Sequence, residues 1–278
     1  MRIPLGYNFS DAKPVALPLR QTFSLTVYNG NPAGAEHIVS TLLQAYCREH
    51  MELFIVRRNF NSIYADGSDL LQQLQAQTKV TLFEQDKETG LQELFERLMA
   101  IMGERMQLRN EFVQQNGLTR GDPQNTVRAF EYIHAHSTPL MVIFENYYEF
   151  AKSLYDGQAV MFAELFRAQD PNTTSKKNNG YGYNIYYTAC FGPGEYTLTA
   201  AQTPMADCFN PQKFTLMFGG QLDKCGAVPL PRDYLAINEP DEHYNHCVMY
   251  YQGRLAGLSL PCGELVHVEP DPDEVPII

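Results

Sequence analysis

The sequence predicts an α/β sandwich around a mostly parallel central sheet, with a β-hairpin near its end. Three observations carry that expectation. Phe23–Tyr28 is rich in β-branched and aromatic residues, as a buried strand is. The turn formers Asn29–Gly34 follow it. They lead into a helical period at Ile38, Val39, Leu42, Leu43 and Tyr46, and then into Leu53–Val56. Strand, loop, helix and strand in that order make a right-handed βαβ unit. Finally, Leu140-Met141-Val142-Ile143-Phe144 is the strongest buried-strand run in the chain.

The other elements follow in order. Pro14–Leu19 is short, apolar and bracketed by prolines, which suits an edge strand or extended arm within 1–22. After Val56 the chain turns at Asp66-Gly67-Ser68, and Asp69 is placed to cap a short helix through Leu70, Leu71 and Leu74. Val80–Phe83 reads as a strand. Thr89 offers a cap for a long helix carrying Leu91, Leu94, Phe95, Leu98, Met99, Ile101, Met102 and Met106. Methionine at helical spacing is more often core than a binding groove, so that stripe is expected inside. Gly117 and Gly121-Asp122-Pro123 end the helix, and a short one follows over 127–133. A helix continues over 160–166, a polar loop over 170–182, and strands over 183–189 and 214–218. The segments 247–251 and 255–258 flank Gln252-Gly253-Arg254 as a hairpin. The acidic, Pro-rich 268–278 reads as a tail. No internal repeat is visible, so 1–278 is read as a single domain.

Composition excludes some functions. The chain of 278 residues carries 21 Lys+Arg against 32 Asp+Glu, a formal charge of −11. Gripping nucleic acid requires a basic surface, and the densest cationic spots are only Arg57-Arg58 and Lys176-Lys177, so nucleic acid is not an expected partner. Six cysteines are scattered without a C-x-x-C pair, which suits free thiols in a reducing compartment. No apolar run approaches the ~18 residues of a membrane span, and Met1–Leu5 does not resemble a signal peptide. The expected location is cytoplasmic.

The loop after the first strand of the βαβ unit stands where a phosphate-binding loop stands, at a helix N-terminus. Laid on the pattern G-x-x-x-x-G-K-[ST], the window is Asn29-Gly30-Asn31-Pro32-Ala33-Gly34-Ala35-Glu36. Asn29 replaces the first glycine, Ala35 the lysine that neutralises the β- and γ-phosphates, and Glu36 the hydroxyl that holds Mg²⁺. A carboxylate facing the anion has the wrong sign for ATP. The run Met141–Phe144 ends in Glu145-Asn146, the shape of a Walker B strand. Glu145 could reach a metal or water; Asn146 cannot serve as a base, because an amide is not basic near neutral pH. An ordinary strand-to-helix turn and an ordinary strand end remain open for both.

Asp241–Cys247 gathers metal-capable side chains, but it lacks the second ligand pair of a zinc site, and a solvated loop is the expectation. His134 and His136 suit a loop or satisfied core role. Neither a G-x-S-x-G elbow nor an H-E-x-x-H helix is present.

Taken together, several segments resemble the FtsK/SpoIIIE-type P-loop ATPases, and most closely the C-terminal ATPase domain of the type VII secretion motor, the EssC/EccC/YukB group. Ile3–Tyr7 and Pro14–Leu17 look like the family's lead-in arm. Asn29–Glu36 takes the Walker A place and Met141–Asn146 the Walker B place. Asn184–Ala189 resembles the sensor strand, Leu216–Asp223 the late "LGG-x-LD" turn, and Gln252–Arg254 the closing β-unit. The order covers nearly the whole chain. The resemblance implies a RecA-like αβα sandwich, ATP and Mg²⁺ as the family's ligands, and a place in a membrane-anchored bacterial motor, hexameric when whole. It also implies upstream ATPase domains and small helical secreted proteins as partners, with membrane contact only through upstream segments. The substituted Walker residues imply a module of binding and assembly with little or no hydrolysis. The alternatives are an active ATPase completed by a neighbouring subunit and a stand-alone α/β scaffold or regulatory protein.

Overall fold

The computed structural model describes residues 2–58, 61–85, 87–119, 122–169, 182–201, 204–242 and 245–260. The polar loop expected at 170–182, Gly182 apart, and the expected tail at 268–278 lie outside the described residues. The chain runs β1 (Ile3–Asn8), β2 (Pro14–Leu17), α1 (Leu19–Thr22), β3 (Ser24–Asn29), α2 (Ala35–Arg48), β4 (Glu52–Arg57), α3 (Asp69–Gln77) and β5 (Val80–Glu84). It continues through α4 (Glu88–Gln115), α5 (Pro123–His136), β6 (Leu140–Phe144), α6 (Tyr147–Ser153), α7 (Asp156–Gln169) and β7 (Ile185–Phe191). The last elements are α8 (Glu195–Thr199), β8 (Phe214–Phe218), α9 (Arg232–Leu235), β9 (His246–Tyr251) and β10 (Arg254–Ser259).

Among the described residues ten strands form one sheet in the order β2-β1-β10-β9-β8-β3-β7-β6-β4-β5. From β8 to β5 the pairing is parallel throughout. The hairpin β9-β10 and the lead-in pair β1-β2 extend the sheet with antiparallel pairing, and β2 is the edge strand its prolines predict. The fold is thus the expected α/β sandwich with a terminal hairpin. The five strands picked out in the sequence at 23, 53, 80, 140 and 183 all lie in its parallel half.

Strict alternation divides the core. Leu53 and Ile55 of β4, with Met141 and Ile143 of β6, face Ile38, Leu42 and Tyr46 of α2. Their neighbours Phe54 and Val56, with Leu140, Val142 and Phe144, face α4, α6 and α7 on the other side. Burying each such side chain contributes roughly 1.5–3 kcal/mol, which is why strands covered on both faces read as unbroken apolar runs.

Four local expectations are corrected. Ser68, not Asp69, caps α3, since its hydroxyl accepts from Leu71 N while its backbone stays extended. Leu91 N donates to the Lys87 carbonyl, so α4 begins at Glu88 and Thr89 lies inside it rather than at its cap. α5 starts at Pro123, because Asp122 caps it and proline fits the first helical turn; polar Pro-Gln-Asn-Thr had disguised that turn. The methionine stripe on α4 is only partly core: Met102 packs on the inner cluster, whereas Met99 and Met106 are exposed.

His134 and His136 occupy the last turn of α5, and the ring of His134 meets the Gly182 carbonyl at 3.0 Å. The five described cysteines carry free thiols. No group of His, Cys, Asp and Glu among the described residues is disposed to hold a metal, and 243–244 of the metal-capable stretch lie outside them. No helix among the described residues is long and apolar enough to cross a membrane.

Candidate functional site

In an open parallel sheet, ligands bind beyond the carboxyl ends of the strands where the winding reverses. Here β3, β6 and β7 end together at such an edge. A cleft of about 140 Å³ opens there, lined by Asn29 and Pro32 after β3, Glu145 and Asn146 after β6, and Cys190 and Phe191 at the end of β7. The structure therefore brings the loop after β3 and the Glu145-Asn146 strand end together.

The loop itself is closed on its own donors. Gly30 N donates to the Phe218 carbonyl at 2.8 Å. Asn31 N donates to Asn29 Oδ1 at 3.1 Å, and Ala33 N to Asn31 Oδ1 at 3.2 Å. Pro32 has no N–H, and Gly34 N donates to the Asn31 carbonyl. A phosphate loop works by aiming successive backbone N–H groups at one anion. From Gly30 to Gly34 every such group already has an acceptor within the protein. Two of those acceptors are asparagine side chains that the sequence places inside the loop. Ala35 opens α2, and Glu36 stands exposed in its first turn, where a carboxylate complements the helix dipole instead of an incoming phosphate.

A second loop locks the first. Gly219, Gly220 and Gln221 are all left-handed, at φ +73°, +73° and +49°. A Cβ on Gly30 would fall well inside contact distance of the Gly220 carbonyl oxygen, and one on Gly219 would lie 2.6 Å from Asn31 N. Gly30 is therefore required by backbone packed on backbone. Gln221 Nε2 donates to the Gly30 carbonyl at 2.5 Å, and Tyr28 Oη donates to the Gln221 carbonyl at 2.5 Å.

The acidic side of the cleft is equally committed. Glu145, whose side chain is 4% exposed, accepts from Arg58 N and Ser62 Oγ at 2.8 Å through Oε2 and from Ile63 N at 2.9 Å through Oε1. The Arg58 guanidinium stands 3.6 Å away. Glu145 thus pins the segment after β4 to the end of β6. Asn146 caps α6, accepting from Glu149 N, and donates through Nδ2 to Glu195 Oε1. Glu195 Oε2 accepts from Gly192 N. Burial, then the charges of Glu145 and Glu195, push the Cys190 thiol up to about 12, so it is a protonated, inert wall of the cleft.

Of the ten candidate positions in the loop and at the strand end, Asn29, Pro32, Glu145 and Asn146 line the cleft, and Gly30, Asn31, Ala33, Gly34, Ala35 and Glu36 do not. Sequence reasoning missed Glu195, Ser62 and the backbone donors at 58 and 63. Gly192-Pro193-Gly194 directly before Glu195 is a turn signal that could have drawn attention to that acid. Ser62 carries no such signal. Chemically, the loop offers phosphate no uncommitted N–H from Gly30 to Gly34, and each carboxylate oxygen in the cleft wall already accepts a hydrogen bond. At about 140 Å³ it is also smaller than the ~300–1,000 Å³ of ordinary small-molecule sites.

No protein-family model and no curated protein sequence matches the chain. Solved structures do. Over 94% of this chain, EssC (ATPases 2 and 3) from Geobacillus thermodenitrificans superposes with a TM-score of 0.61 at 12% identity. Over 95%, EccC (ATPases 2 and 3) from Thermomonospora curvata, in complex with a signal sequence peptide, gives 0.61 at 13%. The pCW3 conjugation coupling protein TcpA with ATPγS gives 0.59 at 12%, over 93% of this chain and 65% of TcpA. This chain spans 41% of the EssC and of the EccC structure, each of which holds two ATPase units. At these identities the likeness is one of fold: the chain has the α/β architecture of the EssC and EccC ATPase units.

Proposed function

We propose that this chain is a P-loop-fold module that has given up nucleotide turnover and serves binding and assembly in a multi-domain protein secretion motor of the type VII kind. The observation that carries the reading is the closed loop: every N–H from Gly30 to Gly34 has an internal acceptor, and no cation stands at 35 or 36. An arginine supplied by a neighbouring subunit could stabilise transition-state charge, but it would not restore those donors.

The match to structures holding ATPases 2 and 3, with 41% of their length covered, supports one module among several in a longer chain. In that reading the partners are upstream ATPase domains, the assembled motor is hexameric, and membrane contact comes through upstream segments on the cytosolic side. The signal sequence peptide bound to the T. curvata EccC supports small helical secreted proteins as cargo, recognised through their tails. The net charge of −11 favours protein over nucleic acid as what is handled.

Calorimetry with Mg-ATP on the whole chain tests the nucleotide half. We expect no heat of binding at about 1 mM nucleotide; micromolar affinity would overturn it. Fluorescence anisotropy with tails of secreted proteins encoded beside this gene tests the cargo half. Native tails should bind and scrambled ones should not; no binding at ~100 μM removes the cargo role.

A further inference from the structure

A second cavity, of about 290 Å³, lies between the last turns of α4 and the first turn of α5. Arg109, Asn110 and Val113 of α4 line it with Leu118, Asn125 and Thr126. α4 passes the amino edge of the sheet at Arg105 and runs on to Gln115, so this cavity stands at the opposite end of the strands from the cleft. Arg109 sets its chemistry. The guanidinium carbon stands over the Phe130 ring, 5.4 Å from its centre, a contact that positions the group without giving it an acceptor. The buried or half-buried Arg57, Arg58 and Arg105 each meet oxygen atoms. Arg109 is half-buried too, yet among the described residues no oxygen accepts from it and no carboxylate pairs with it. Its Nε is buried, whereas its two Nη groups are not, so the fork is open to a ligand. The acids nearest the lining in sequence serve other donors: Glu111 accepts from Gln107 Nε2 and Asp122 from Gln124 N, both at 2.8 Å. Asn125 Nδ2 reaches the Thr119 carbonyl only at 3.5 Å, and the Asn110 amide has no partner among the described residues. We propose that this cavity binds a small organic carboxylate with an amide- or hydroxyl-bearing body. The carboxylate sits on the Arg109 Nη groups, the body bonds to the two asparagine amides, and its carbons rest on Val113 and Leu118. A volume at the lower end of the ~300–1,000 Å³ of ordinary ligand sites keeps the molecule small. One guanidinium in the described lining matches one carboxylate better than the higher charge of a phosphate. The site does not depend on whether nucleotide enters the cleft.

The test is NMR on the whole chain, following the side-chain amides of Asn110 and Asn125 and the methyls of Val113 and Leu118. The probes are N-acetylglycinate, its neutral isostere N-acetylglycinamide, inorganic phosphate and a capped Ala-Asp-Ala peptide. N-acetylglycinate should shift these signals saturably, with half-saturation at about 10 mM or below. The neutral isostere should bind at least ~10-fold more weakly, because it lacks the charge-assisted bond to the guanidinium. Arg109→Gln should abolish the saturable shifts. Arg109→Lys, which keeps the charge and loses the planar fork, should weaken them without abolishing them. Asn125→Asp sets a like charge in the wall and should weaken N-acetylglycinate at least ~10-fold, which keeps the test open if Arg109→Gln fails to fold. Equal affinity for acid and isostere, tighter binding of phosphate, or no saturable shift below ~50 mM overturns the site. Tighter binding of the capped peptide moves the carboxylate onto a partner's side chain and overturns the small ligand. Shifts confined to Val27 and Ile38 in the cleft overturn the location.

Discussion

The two ends of the parallel strands each bury one charge, and the two charges do the same work with opposite chemistry. At the carboxyl edge Glu145 gathers donors: two backbone N–H groups and a serine hydroxyl. At the amino edge Arg105, on α4 and 7% exposed, gathers acceptors: the Tyr183 and Thr138 carbonyls, both at 2.6 Å. Each ties the end of a strand to a segment far away in sequence. Burial pulls the Arg105 guanidinium down to about 10, which still leaves it charged at neutral pH. Only Glu145 stands where catalysis is expected, yet its bonding is that of a staple. A carboxylate at the end of an apolar strand is evidence of position, and its role is decided by how many of its lone pairs the fold has already taken.

The comparison makes measurable claims. Glu145→Ala strands three half-buried donors beside Arg58 and should cost about 3 kcal/mol in urea unfolding. A catalytic carboxylate with no structural task would cost far less, so a loss under ~1 kcal/mol would break the analogy. Arg105→Ala should follow at roughly 3 kcal/mol, from two charge-assisted bonds to buried carbonyls.

Next comes Gly30→Ala, whose Cβ would collide with the Gly220 carbonyl; we expect a loss of about 1–3 kcal/mol with or without Mg-ATP. A variant that stayed stable in apo form but lost only nucleotide binding would return Gly30 to a phosphate-binding role.

His134 gives a pH signature for the amino edge. Burial, then the Arg20 charge, lowers its pKa to about 4, while the unfolded chain titrates near the ordinary ~6.5. Between those values the unfolded state binds more protons, so stability rises with pH and is lost as pH falls through the window. The slope should approach ~1 kcal/mol per pH unit and be reduced in His134→Gln; identical slopes in the two proteins would remove the assignment. The smallest expected effect is Asn31→Ala, which frees Ala33 N at an exposed site and should cost about 1 kcal/mol or less. Faster amide exchange at Ala33 is its second readout.

These residues also show what the sequence could reveal. Leu140–Phe144 and Leu53–Val56 were legible because burial on both faces leaves an unbroken apolar run, a local signal. The closed loop was half legible. The missing lysine and hydroxyl are visible at Ala35 and Glu36, but that Asn29 and Asn31 turn their amides inward is a matter of conformation. Arg105 was not legible at all: it sits among the other charges of a 28-residue helix, and nothing local marks the one that turns in. Glu145 was found for its place but its bonding was not legible, because its partners lie 82 to 87 residues earlier. The chain holds 17 Tyr and 16 Phe, and its sequence does not say which of them reach the surface. Most of the largest rings, among them Phe144, Tyr147, Phe166 and Tyr187, are buried, because one face of the sheet is packed with them.

The closed loop has one consequence for any assembly that contains this chain. A motor unit changes shape on a schedule set by what fills its phosphate loop, because the ligand favours one of two conformations. A ligand that gains nothing from either conformation shifts no population, however abundant it is. In the proposed reading, a loop folded around its own asparagines and wedged against Gly219 and Gly220 leaves no conformation for a nucleotide to select. Placed in line with cycling units, it would behave as a stator, keeping one shape through every stroke and giving its neighbours a fixed frame against which to push.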